Sequence, residues 1–361
     1  AVADAFDAGA ELGGDERVRA LEGMAAWNLG KYESALILTS SMGTRTAVEE
    51  YVRASALSML KKPKEAEAAY RKALEKEPGL LPAWVGLGTV GIQGGHSADA
   101  ARCAGECLKY DLSGASAAVI ASQMEAAGMS IAAESVRRDV LALDPRRVEF
   151  IGALAFNLVY QQKWKEALAI SDDAASKGLQ SPLLLEAGLR AAGGLHDLDQ
   201  IRPRVEAFLK VCRDARAYCT AAEQWYLAGR FDEAAKLLDP VARQFNDSSR
   251  FCTARAFVLA NLKRFDEAVG SARRAMELDP KDELAVQYAT KGEFERGELD
   301  KAQELAQRTL EQHPRDTTAL EILIRIAHRR GDRDTLQSLR NRLGTIDWRQ
   351  RDALDEALKS E

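Results

Sequence analysis

The sequence has few aromatic residues, no long hydrophobic run and no excess of positive charge. Phe, Trp and Tyr make up 6% of the 361 residues, whereas 46% are hydrophobic and 29% are charged, which is typical of a folded chain with a core of small and aliphatic side chains. No stretch reaches the roughly 18 apolar residues that a membrane-spanning helix requires. The formal net charge of −5 gives no general attraction to phosphate backbones or anionic lipid. We therefore expect neither membrane insertion nor nucleic-acid binding.

The N-terminal residues also lack the features of a secretory signal. Residues 1–14 have no basic start and carry Asp4, Asp7 and Glu11 where an apolar segment should be. The five cysteines are an odd number in a long chain, which does not indicate a disulfide framework and favours a reducing compartment. We expect a cytoplasmic protein, with a periplasmic or envelope-associated location as the alternative if a signal sequence has been removed.

One position recurs through the chain at spacings of 31 to 34 residues, and in eight of ten cases it is alanine. The series is Ala35, Ala66, Ala100, Ala133, Ala167, Gln200, Ala234, Ala268, Ala302 and Leu336. We call the eight alanines of this series the repeat alanines. Because the chain is rich in alanine, the period must be supported by other residue types in the same phase.

Three other residue classes keep this phase. Glycines, which tolerate positive φ in a turn, stand five residues before the series at Gly30, Gly95, Gly128, Gly229, Gly297 and Gly331. Prolines, which end helices, stand twelve residues after it at Pro78, Pro145, Pro280 and Pro314. Small residues stand twelve residues before it at Gly23, Ala54, Gly88, Ala121, Ala155, Gly188, Ala222 and Ala256. The pattern predicts two closely packed helices per repeat.

The period and these positions resemble the tetratricopeptide repeat, whose length is 34 residues. The similarity is closest at residues 65–78 and 265–280, and it is weakest in the first, fourth and sixth repeats. The resemblance implies an all-α fold, a right-handed superhelical solenoid of about ten antiparallel helix pairs. It covers nearly the whole chain.

We predict three segments. Residues 15–345 hold about ten repeats, and residues 346–361 form a C-terminal capping helix, because Trp348, Leu354 and Leu358 fall on one helix face. Ala1 lies 34 residues before Ala35. Residues 1–14 are therefore expected to be the second helix of a truncated preceding repeat, and the native protein is expected to continue upstream.

By the same resemblance, the first helix of each repeat lines a concave groove. The groove positions predict a partner-binding site of aromatic and cationic side chains, the types that often anchor protein interfaces. The predicted site residues are Phe156, Tyr160, Leu189, Arg216, Tyr226, Arg250, Phe257, Lys291, Phe294, Arg325 and Arg329. The lysine and asparagine set with which some family members clamp a C-terminal carboxylate is absent.

No catalytic, cofactor or metal site is predicted. Cys103 and Cys107 share a helix face but lack two further zinc ligands, so both are expected to be core residues. Cys219 and Cys252 fall at nearly equivalent repeat positions, and their pairing is left open because it depends on geometry. The four histidines are scattered, and no phosphate-binding glycine loop follows a strand.

The leading interpretation is a scaffold or adaptor, not an enzyme, that binds a peptide or helix of a partner protein in its groove. One alternative is an assembly or regulatory module excised from a larger machine, such as a cell-envelope secretion or polysaccharide-export apparatus or a glycosyltransferase. Another is RNA binding, since pentatricopeptide repeats have a related architecture, although the acidic pI near 5.7 argues against it. The oligomeric state is left open.

The repeat phase predicts that a larger side chain is not tolerated at a repeat alanine. Replacing Ala234 or Ala268 with Leu should overpack the contact within the helix pair and cost on the order of 1–3 kcal/mol. Thermal unfolding followed by circular dichroism measures this cost. Variants that melt at the wild-type temperature would show that the phase is wrong.

Overall fold

The computed structural model describes residues 16–40 and 46–359, and within these residues it contains 21 α-helices and no β-strand. The prediction of an all-α array of antiparallel helix pairs is confirmed. The predicted second helix at residues 1–14 lies outside the described residues. None of the described helices is long and apolar enough to cross a membrane.

The helices form ten pairs followed by one further helix. First helices carry odd numbers: α1 (Glu16–Asn28), α3 (Ala47–Met59), α5 (Leu81–Gln93), α7 (Ala115–Ala126), α9 (Val148–Tyr160), α11 (Pro182–Gly194), α13 (Ala215–Leu227), α15 (Ser249–Asn261), α17 (Glu283–Glu295) and α19 (Thr317–Arg330). Second helices carry even numbers: α2 (Tyr32–Ser40), α4 (Pro63–Lys76), α6 (Ser97–Tyr110), α8 (Ser130–Leu143), α10 (Trp164–Ser176), α12 (Leu198–Val211), α14 (Phe231–Leu238), α16 (Phe265–Leu278), α18 (Leu299–Gln312) and α20 (Arg333–Ile346). The last helix is α21 (Trp348–Leu358).

The chain divides into two compact units. Unit 1 comprises residues 1–191 and unit 2 comprises residues 192–361, so the division falls within α11. Within each unit, successive helix pairs share apolar clusters. In unit 2, for example, Ala256 of α15 packs with Ala272 of α16 and with Ala289 of the next first helix, α17.

Small residues lie in the core at the predicted positions. All eight repeat alanines have no exposed surface. Helices α16 and α17 approach each other closely at Gly292 of α17, where an added Cβ would lie 2.6 Å from Cγ2 of Val269 in α16. The repeat therefore depends on short side chains where the helices of neighbouring pairs meet.

Each turn between a first and a second helix contains one residue with positive φ. Six of these residues are the glycines named above, with φ between 70° and 81°. In the other four repeats the residue is Lys61, Gln162, His196 or Lys263, with φ between 53° and 59°. All ten turns thus have the same left-handed residue, although only six of them carry the glycine that suits it.

Two helices differ from the expected pattern. Helix α14 ends at Leu238 after eight residues, and residues 240–247 form turns, because Pro240 lacks an amide hydrogen and its ring opposes a continuing helix. The last helix begins at Trp348 and not at residue 346, since Asp347 caps its N-terminus by accepting hydrogen bonds from the backbone amides of Arg349 and Gln350. Leu354 and Leu358 of this helix are buried in the C-terminal core.

A buried polar network joins the fourth and fifth pairs. The Glu125 carboxylate accepts hydrogen bonds from Arg137 Nη2 at 2.8 Å and from Asn157 Nδ2 at 2.8 Å. Glu134 of α8 accepts hydrogen bonds from Lys163 Nζ at 2.7 Å and Gln161 Nε2 at 2.9 Å. These contacts fix α9 against α8, since a buried charge is tolerated only when it is paired.

The turn geometry predicts opposite effects for two substitutions. Lys263→Gly should stabilise unit 2 by about 0.5–1 kcal/mol, because glycine adopts positive φ without the steric cost that lysine has. Gly297→Ala should destabilise it by about 1–2 kcal/mol. An added Cβ at residue 297 meets no atom within 4 Å, so only the backbone is strained. Urea unfolding of both variants measures the two effects; Lys263→Ala, which keeps the strain, is the control.

The network around Glu134 predicts a loss of stability in acid. Burial raises the pKa of Glu134, but hydrogen bonds from Lys163, Arg138 and Gln161 outweigh this and lower it to about 2 from the ordinary 4.5. Because the folded-state pKa is depressed, the contribution is complete above pH 4.5 and is lost as the pH falls towards 2. The urea midpoint of Glu134→Gln should fall less than that of wild type between pH 5 and pH 3. The urea midpoint of Glu311→Gln, a control variant that alters an exposed carboxylate, should fall as far as that of wild type.

Candidate functional site

Three aromatic side chains form a row across successive first helices of unit 2. Tyr226 lies on α13, Phe257 on α15 and Tyr288 on α17, and each is partly exposed. The ring centroids of Tyr226 and Phe257 are 4.8 Å apart in an edge-to-face arrangement, and those of Phe257 and Tyr288 are 5.5 Å apart. We call these three residues the aromatic row. Contacts of this kind between aromatic rings are favourable beyond the area that they bury.

The ring of Phe231, at the start of α14, supports the aromatic row. It stacks parallel to Tyr226 at 6.4 Å and meets Phe257 edge-on at 5.8 Å. Phe231 stands three residues before the repeat alanine Ala234 and is itself partly buried. Contacts with Phe231 therefore help to position the rings of Tyr226 and Phe257.

Tyr288 is a site residue that the sequence analysis missed. The groove positions were taken at a constant phase of the repeat, whereas the aromatic row steps by 31 residues, from 226 to 257 to 288. Each step is therefore about one helical turn earlier in its repeat, and the row runs diagonally across the three helices. A search for aromatic residues at a spacing of 31 would have found it.

Exposed cations lie on the same helices as the aromatic row. Arg216, Arg250 and Lys291 are exposed on α13, α15 and α17 respectively. Lys291 follows Tyr288 by three residues, and Arg250 precedes Phe257 by seven, so Lys291 and Arg250 each share a helix face with a ring of the row. Their charges therefore lie beside an aromatic surface.

The two predicted arginines of α19 are held in place by neighbours. Arg325 Nε donates a hydrogen bond to Glu321 at 3.1 Å. The guanidinium of Arg329 lies 3.9 Å from the centroid of the Phe294 ring, and its Nη1 donates to the Phe294 carbonyl oxygen at 3.3 Å. A cation over an aromatic face is electrostatically favourable, so Arg329 is fixed in position.

Two predicted site residues lie in the core. The Phe294 side chain is 1% exposed because α19 packs over it and Arg329 covers its face. Leu189 has no exposed surface, and burial of an aliphatic side chain is favourable by roughly 1.5–3 kcal/mol. The prediction that these two residues contact a ligand is wrong for this structure, because neither presents surface to one.

The remaining predicted residues, Phe156 and Tyr160, lie on α9 in unit 1. Their rings pack edge-on at 5.3 Å, and Tyr160 is 68% exposed. Since the two positions are four residues apart, they share a helix face. They form an aromatic pair of their own, and unit 1 has to be considered separately from the aromatic row.

Unit 1 also contains a groove without charge that the sequence analysis missed. It crosses α1, α3, α5 and α7, has a volume of about 640 Å³, and includes Trp27, Tyr51, Met59, Val85 and Val119 in its lining. No lining residue is charged. We call this the uncharged groove.

The cysteines of the described residues are all free thiols. Cys219 and Cys252, whose pairing was left open, therefore do not form a disulfide. Burial raises the pKa of Cys103 to about 11 and that of Cys107 to about 12, and both side chains lie in an apolar cluster as predicted. Among the described residues no group of three His, Cys, Asp or Glu side chains is placed to hold a metal ion.

Three solved structures similar to this chain were compared with it. A tetratricopeptide repeat protein from Parabacteroides merdae has 14% identity and a TM-score of 0.45, with 68% of this chain and 98% of that chain covered. A chain of the APC/C hetero-tetramer Cut9–Hcn1 has 11% identity and a TM-score of 0.48, with 95% and 83% covered. Yeast Tom70 has 13% identity and a TM-score of 0.41, with 96% of each chain covered. At these TM-scores the similarities support no conclusion about function.

A search of curated protein sequences finds no significant match. The family model for the tetratricopeptide repeat matches residues 226–283 and 291–334. The matched residues include Tyr226 and Phe257 of the aromatic row and the turns at Lys263 and Gly297, whereas Tyr288 lies between the two matched segments. Five of the six helix pairs before them have the buried repeat alanine, and all six have the left-handed turn residue. The family comparison therefore supports tetratricopeptide repeats at residues 226–283 and 291–334.

Proposed function

We propose that this chain is a protein-binding scaffold and that unit 2 binds an extended segment of a partner protein along its first helices. The observation that carries the proposal is the aromatic row, a partly exposed surface of three rings on three consecutive first helices. Repeat arrays use such extended surfaces for binding. Rigid aromatic anchors supply large contact area at low entropic cost.

The charges beside the row favour a segment with an acidic end. Arg250 and Lys291 are exposed on the same helices as Phe257 and Tyr288, and Arg329 is held over Phe294 at 3.9 Å. An arginine that is already fixed in place loses little side-chain entropy when a carboxylate binds it. The proposed ligand therefore has apolar side chains that contact the aromatic row and carboxylates that reach these cations.

The uncharged groove of unit 1 favours a different kind of segment. Its lining offers rings, aliphatic side chains and the hydroxyl groups of Ser55, Ser58 and Thr89, with no side chain to pair with a charge. A charged group placed there would lose water without gaining a partner, which is unfavourable. A segment bound by unit 1 is thus expected to be apolar and uncharged.

The test is selection of binding peptides from a displayed random library with the 361-residue chain as target. Peptides with aromatic or aliphatic residues followed by Asp or Glu should be enriched. Calorimetry should show that Tyr226→Ala and Phe257→Ala each weaken binding of the selected peptide by about 2 kcal/mol, because central anchors dominate interface energies. Tyr288→Ala should have a similar effect.

The matched control is Tyr110→Ala, which removes an aromatic side chain that is 48% exposed on the second helix α6. It should leave peptide affinity unchanged. Replacing Arg250 and Lys291 with Gln should make peptide affinity depend less on salt concentration. The affinity measured at high salt should change little, since peripheral charges act mainly through steering. If all three variants of the aromatic row bind as tightly as wild type, this surface is not the site.

A further inference from the structure

A cavity lies in unit 1 between the second helices α4 and α6, over the first helix α5. Its volume is about 640 Å³, which is within the range of small-molecule sites, roughly 300–1,000 Å³. Its apolar lining includes Leu74 of α4 and Trp84, Leu87 and Val90 of α5. It is distinct from the uncharged groove, which opens onto first helices and includes none of these four residues.

The cavity lies where the third repeat has the smallest residue of an otherwise buried core position. The position nine residues before the repeat series holds Leu57, Met124, Leu158 and Leu259 in four other repeats and Ala26, Ala191 and Ala327 in three, and all of these side chains are buried. In the third repeat it holds Gly91, the smallest residue at this position in the array, and Gly91 lines the cavity. A well-packed core has few voids larger than a water molecule.

A larger residue would fit at this position without disturbing the backbone. A Cβ built on Gly91 would be 3.5 Å from its nearest neighbours, the Ala100 amide nitrogen and the His96 carbonyl oxygen, which is an ordinary contact distance. Glycine within a helix costs roughly 1 kcal/mol relative to alanine. Neither the backbone nor the packing requires glycine here, which is consistent with a cavity kept for a ligand.

The cavity lining carries three cations, Lys64, Arg71 and Arg102, and three carboxylates, Glu67, Glu75 and Asp99. Two of the cations, Arg71 and Arg102, border the cavity from opposite helices. Arg71 of α4 donates from Nη2 to Glu67 at 2.7 Å, and Arg102 of α6 donates from Nη2 to Asp99 at 2.7 Å. Each ion pair forms within its own helix and is exposed to solvent, so it contributes little to the free energy of unfolding. A guanidinium has five donor hydrogens, and therefore both arginines keep donors for a further acceptor.

The thiol of Cys103 in the cavity lining is expected to contact a ligand and not to react with it. Burial raises the pKa of Cys103 to about 11, although Arg102 and Arg71 both act to lower it. Arg71, Arg102 and Cys103 all line this cavity. At neutral pH the thiol is protonated, so it contributes an apolar surface.

We propose that this cavity binds an amphipathic organic carboxylate, with its apolar body against Leu74, Trp84 and Val90 and its carboxylate between Arg71 and Arg102. The apolar lining accounts for the body of the ligand. The donors of two arginines, one on each wall, account for a single negative head group, because a carboxylate accepts charge-assisted hydrogen bonds from both. The site is independent of the aromatic row and of the proposed protein ligand.

Calorimetric titration of the 361-residue chain with laurate tests the proposal, and dodecanol serves as the neutral comparison. Laurate should bind at one site per chain, and dodecanol should bind about tenfold more weakly. Gly91→Leu should abolish laurate binding because the leucine occupies the cavity floor as Leu57 and Leu158 do in their repeats. Gly105→Leu is the control, since a Cβ on Gly105 of α6 meets open space, and it should bind laurate as wild type does.

A second variant tests the head group without touching the core. Arg71→Gln combined with Arg102→Gln should weaken laurate binding about tenfold and leave dodecanol binding unchanged. The proposal is overturned if wild type does not bind laurate, if Gly91→Leu binds it as tightly as wild type, or if dodecanol and laurate bind equally well.

Discussion

The structure depends on the close contact between helices at positions where only small side chains fit. The repeat alanines have no exposed surface, and at Gly292 even one added carbon would lie 2.6 Å from Val269. Such contacts set the distance and the rotation of each helix relative to its neighbours. Because they recur with the repeat, each first helix presents a corresponding face, and side chains far apart in sequence are brought side by side.

The aromatic row follows from this regular placement. Tyr226, Phe257 and Tyr288 belong to three different repeats, yet their ring centroids are 4.8 and 5.5 Å apart. Phe231, at the start of the second helix α14, contacts both Tyr226 and Phe257. The rings of the proposed binding surface thus pack on one another, and the surface is expected to be rigid before a ligand binds. Rigidity of this kind favours affinity by reducing the entropy lost on binding.

The sequence predicted those features that a single residue type determines. Glycines predicted six of the ten left-handed turns, whereas the turns at Lys61, Gln162, His196 and Lys263 were hidden because the surrounding helices impose positive φ on residues that disfavour it. The burial of Phe294 could not be predicted, because it depends on Arg329, 35 residues later. The cavity at Gly91 could not be predicted from the sequence either. A glycine in a helix shows that a side chain is missing, but only the packing of α4, α5 and α6 shows that the space remains open.

The central claim is that the first helices of unit 2 hold a protein segment, and site-specific photo-crosslinking tests it most directly. A photoreactive benzoyl-phenylalanine is placed at residue 257 in the aromatic row or at residue 110 on a second helix, and the protein is irradiated in its native cells. We predict cross-links to a defined partner protein from residue 257 and none from residue 110. Equal cross-linking from both positions, or cross-linking from residue 110 alone, would contradict the claim.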